Sequence, residues 1–163
     1  MKNSQELLVE TFKDEMPRFV RALEAVPEGS LDYRPHEKSR SAADLLAVFA
    51  DEADMLLSIV RTGRFDMGAF TPSHFPTAAA ATAAFRTRME STLAALAACD
   101  AARWEGPAQF VAGEKVEWET TVGQMCWGFL LDLIHHRGQL TVYLRPMGAR
   151  VPSIYGPSAD ENG

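Results

Sequence analysis

The run MCWGFLLDLIHHRGQLTVYL, residues 125–144, limits the possible folds of this chain more than any other stretch. On a helical projection Met125, Phe129, Leu140 and Tyr143 share one face, and Trp127, Leu130, Leu131 and Ile134 cover the others. A helix apolar all round is either central to its own fold or half-covered by a second subunit. Thr121 and Gln124 form a capping-box pattern at its start, and Pro146 and Gly148 stop it.

Three more segments carry helical periodicity. The first starts at Asn3, capped with Glu6, and spaces Leu7, Leu8, Phe12, Phe19, Leu23 and Val26 along one stripe. Pro17 should kink it or split it. The second opens at Ser41 with Asp44 as the reciprocal cap and runs to about Thr62, where Gly63 supplies a left-handed end. The third runs from Thr77 to about Cys99 with Phe85, Met89, Leu93 and Leu96 inward. VPEGSLDYRPHEK reads as a loop and RFDMGAFTPSHFP as an irregular connection. In residues 101–119 a short hairpin about Gly113 fits, with Phe110, Val111, Val116 and Trp118 on its arms. The expected fold is all-α: a four-helix bundle with crossover connections, one domain over residues 1–163. The tail should lie extended, with Pro152, Tyr155 and Pro157 as a strap. Arg137 and Gln139 are expected to serve architecture, and Gly138 to admit a neighbouring backbone.

Composition removes several functions. The balance of 16 basic against 22 acidic residues gives −6 with no basic stripe, which argues against nucleic-acid binding. The N-terminus scatters charges through its apolar residues, so neither a signal peptide nor a membrane span is expected. Cys99 and Cys126 make no disulfide framework and no zinc knuckle, and read as reduced core thiols of a cytoplasmic protein.

The chemistry is in the wrong place for an ordinary core. Glu52 falls at the centre of the face defined by Leu45, Val48, Phe49, Leu56, Ile59 and Val60, and Asp132 with His136 falls at the centre of the last helix's inward face. Charges are rarely buried unless paired or metal-bound, because desolvation costs several kcal/mol. Asp132 and His136, four apart, can share a metal ion or simply hydrogen-bond each other. Glu52 can join them or pair with an arginine. His135 lies at the stripe's edge, and His36 and His74 lie in loops.

HHRGQLTVYLRPMGARVPSIYGPSADE resembles the end of the last core helix and the tail in the DinB-like superfamily of metal-binding helical bundles, and LDYRPHEKSRSAADLLAVFADE resembles that family's entry into its second helix. The resemblance implies a divalent metal held by three histidines. Carried onto this chain, one ligand is His136, the one a turn earlier falls on Asp132, and the second-helix ligand falls on or beside Val48. Two readings follow. In one, His136, Asp132 and Glu52 form a remodelled site for Zn, Ni, Mn or Fe in a thiol transferase or hydrolase, with Tyr143 and Val48 lining the substrate pocket. In the other, the metal is gone and the fold persists as a homodimeric module that binds a small molecule without catalysis.

Overall fold

The computed structural model describes residues 1–162. Four long helices supply the core: α1 (Ser4–Glu24), α2 (Ala42–Thr62), α3 (Ala78–Ala98) and, after the single-turn α4 (Ala101–Trp104), α5 (Val122–Leu144). α1 and α2 each pack against both α3 and α5. Phe19, Phe49 and Phe85, one from each of α1, α2 and α3, meet edge-on with ring centroids 5.6–6.0 Å apart.

The helix ends follow the local chemistry of the chain. Asn3–Glu6 and Ser41–Asp44 both close full capping boxes, and Gly63 ends α2 at φ 74°. Thr121 accepts from the Gln124 backbone nitrogen, but the Gln124 side chain turns to the Thr120 hydroxyl, so only half of that box forms. α1 runs unbroken through Pro17. Proline has no N–H for the preceding turn, but burial of Phe12 and Phe19 on either side of it holds the two halves in one helix.

The all-α expectation needs correction. The molecule is mostly helical but carries a three-stranded sheet, with β1 (Arg64–Asp66) parallel to β2 (Pro107–Ala112) and β2 antiparallel to β3 (Lys115–Thr121). The β2–β3 hairpin turns at Gly113, where φ is 63°. Arg64–Asp66 is too short to show an alternating pattern of its own. It becomes a strand because the Gly63 turn delivers it to β2, more than forty residues away.

Two tryptophans, Trp104 of α4 and Trp118 of β3, pack against α5. A Cβ on Gly123 would collide with the Trp104 indole, and one on Gly128 with the Trp118 indole. Gly138 faces open space, so these two glycines, and not that one, admit a close neighbour. The central position of α5 accounts for most of its apolar residues: Leu133, Leu140 and Leu144 are fully buried. Leu131 and Val142 remain exposed, and half-buried Trp127 donates from Nε1 to Ser4 at 3.0 Å. Among the described residues no helix is long and apolar enough to cross a membrane.

Candidate metal centre and cavity

Glu52 projects from α2, and Asp132 and His136 from successive turns of α5, toward one point. His136 Nε2 lies 3.2 Å from Glu52 Oε1 and 3.6 Å from Asp132 Oδ2, and one ligand atom from each residue lies within 4.8 Å of the others. The cluster borders a cavity of about 730 Å³. Val48 stands in its wall, at the place where the family resemblance puts a histidine. Tyr143 does not: its hydroxyl donates to the Arg40 carbonyl at 3.1 Å and its ring stacks edge-on against Tyr33. It is a girder for the loop before α2, about two turns beyond His136 on α5 and outside the cavity wall.

The three groups are not equally buried. Glu52 is 4% exposed, and its Oε2 is the one fully enclosed side-chain polar atom, among the described residues, that has no hydrogen-bond partner. His136 is also buried, whereas the Asp132 side chain is 55% exposed and sits at the cavity's rim instead of inside. The four-residue step from His136 back to Asp132 leaves a rotation of about 40° around α5, which carries the Asp132 carboxylate to the rim.

Burial pushes the Glu52 carboxyl up to about 7, only partly opposed by its hydrogen bond to His136. For His136, burial disfavours the charged ring. Hydrogen bonds to Glu52 and Gln139, with the nearby carboxylates, outweigh that and raise its pKa. Near neutral pH the pair therefore holds a proton between its two members. The Gln139 amide oxygen, 2.8 Å from Nδ1, fixes that nitrogen as a donor and turns Nε2 toward the carboxylates. Gln139 thus contacts the candidate ligand His136, a contact that the architectural expectation did not include. Its spacing, one turn from His136, was the signal available in the sequence.

The donor set suits a divalent transition metal. One imidazole nitrogen and two carboxylate oxygens make a mixed N/O set that leaves positions for water or substrate. Separations of 3.2 and 3.6 Å are those of neighbouring ligands around an ion bound at roughly 2.0–2.2 Å. An ion would also satisfy the orphaned Glu52 oxygen, which the protein itself does not. His135 borders the cavity mouth, and His36 and His74 are exposed loop residues away from it.

Next to Glu52, Asp51 shows what a completed carboxylate looks like. It accepts the Ser73 backbone N–H at 3.0 Å and pairs with Arg88 at 3.3 Å, tying the loop after β1 to α2. That loop supplies Met67, Phe70 and Pro72 to the cavity wall. No periodicity in the sequence marked it. Neither thiol is activated: burial pushes Cys126 up to about 12 and also raises Cys99.

Comparisons with known proteins agree with the fold. A structural neighbour, a DinB-like protein (YjoA) from Bacillus subtilis, is 20% identical with a TM-score of 0.70, over 90% of this chain and 95% of that one. A second is the mycothiol-dependent maleylpyruvate isomerase, solved as a single-residue mutant: 12% identical, TM-score 0.59, over 93% of this chain and 68% of that one. At these identities the likeness is one of fold. No curated protein matches significantly. The family model for the DinB family matches residues 1–162, essentially the whole chain, and the protein belongs to that family.

Proposed function

We propose that this protein is a metal-assisted enzyme in which His136, Glu52 and Asp132 hold one divalent ion, of Zn, Ni, Mn or Fe type, at the edge of the cavity. The observation that supports it most is Glu52, a carboxylate enclosed by the protein with one oxygen unanswered. Leaving such a group unpaired costs about 1–3 kcal/mol, which a purely structural pair would have been free to avoid. Once bound, the ion would lower the pKa of a coordinated thiol or water. The chain's own residues do the rest. Gln139 orients His136, Glu52 gives up its proton as the site loads, and the Asp51–Arg88 pair fixes the cavity wall.

Thiol transfer comes first among the reactions and hydrolysis second. Neither cysteine of the chain is activated, so the thiol must come from a co-substrate. The mycothiol-dependent neighbour supports that order. The experiment is metal analysis of protein purified without an affinity tag and offered Zn, Ni or Mn. The reading requires about one ion per chain, lost in Glu52→Gln and His136→Ala. Wild-type protein that takes up none would leave the non-catalytic binding module.

We also propose a homodimer through α5, supported by Val142, more than 60% exposed on that helix, and by half-buried Trp127. Light scattering at micromolar concentration reads it directly.

A further inference from the structure

Three of the large apolar side chains that remain exposed, Met67, Trp118 and Leu131, border the same cavity. They come from the loop after β1, from β3 and from α5, so only the tertiary fold brings them together. Single exposed apolar residues are ordinary, but convergence on one concavity marks a ligand surface. Phe110 and Phe129 of the wall lie 6.2 Å apart between ring centroids, and Phe65 behind them links Phe110, at 5.4 Å, to Phe70 of the wall, at 5.3 Å. Trp118 is 39% exposed yet fixed in place, because its indole rests on α5 at Gly128. Glycine inside a helix costs about 1 kcal/mol relative to alanine, and here it provides the seat for the ring. The cavity, at about 730 Å³, far exceeds the needs of water or a small anion and falls within the range of pockets for drug-sized ligands.

We propose that the cavity takes a small molecule with an apolar ring system, seated against Trp118 over Gly128, whose polar group reaches the His136 cluster. The polar-group half of this inference rests on the metal reading above, and the ring half does not.

The test has two arms, both read by isothermal titration. Zinc-loaded protein is titrated with benzohydroxamate and with acetohydroxamate, which present the same chelating head with and without a ring. The ring should tighten binding by about tenfold or more. Trp118→Ala and Gly128→Ala should each cut that advantage to under about threefold while leaving acetohydroxamate unchanged. Equal binding of the two hydroxamates, or an advantage that survives both variants, overturns the proposal. Metal-free protein is titrated with 1-naphthol, which needs no ion. Saturable binding lost in Trp118→Ala upholds the ring site even where no metal is taken up. No saturable binding of 1-naphthol overturns the ring site even if the metal reading holds. Trp118 lies on an exposed strand, and an unchanged circular dichroism spectrum confirms that its alanine variant is folded.

Discussion

His136 and Arg137 are neighbours on α5, and each meets a buried glutamate, but the two glutamates are treated differently. Glu15 of α1 has both oxygens answered: Arg18 donates to Oε1 at 3.1 Å, and Arg137 and the Tyr155 hydroxyl donate to Oε2. The Arg137 guanidinium also stacks over Phe19 and Tyr155. The tail closes the cluster, since Arg18 and Arg21 hold the Ile154 and Ser153 carbonyls and Glu161 pairs with Arg21. Glu52 of α2 is as deeply buried, but it has only the contact with His136 at 3.2 Å, an unanswered oxygen and an open cavity beside it. The first arrangement is finished and holds a chain end in place. The second is left incomplete beside a cavity, as expected of a group waiting for a ligand.

The contrast is broken most strongly at the finished end. Arg137→Met leaves Glu15 buried without its main partner and should cost about 3–5 kcal/mol in chemical denaturation while metal uptake per folded chain stays unchanged. Next comes pH. Both Glu52 and His136 titrate above their ordinary values, so the folded chain holds protons there that the unfolded chain releases. Metal-free stability should therefore fall as pH rises from about 4.5 through 7, by on the order of 2–3 kcal/mol. Metal should stabilise increasingly over the same range, because binding displaces those protons. Glu52→Gln, which mimics the protonated carboxyl, should flatten the metal-free slope, leave the chain more stable than wild type at pH 7 by up to the roughly 2–3 kcal/mol that wild type loses there, and abolish uptake. The smallest effect belongs to Gln139→Ala, which should weaken metal binding by about tenfold with unfolding nearly unchanged.

The four long helices were legible because their information is local: caps at Asn3, Ser41, Thr77 and Thr121 and periodic apolar stripes between them. The convergence of Glu52, Asp132 and His136 could be anticipated from helical phase, although phase alone put Asp132 inside when it lies at the rim. What escaped depends on distant partners. β1 exists only against β2, Trp118 finds its seat only on Gly128, and Tyr143 reaches back to Arg40, more than a hundred residues earlier. Leu93 shows the same limit in the core: it is only half-buried, while Thr92 beside it is fully buried, because its hydroxyl donates to the Ala53 carbonyl on α2 at 2.9 Å.

Anomalous diffraction from a crystal soaked in zinc or nickel tests the central claim most directly. The account predicts one ion about 2.0–2.2 Å from His136 Nε2 and from carboxylate oxygens of both Glu52 and Asp132. Anomalous density absent from the space between these three side chains, with Glu52 still hydrogen-bonded to His136 at saturating metal, would contradict it.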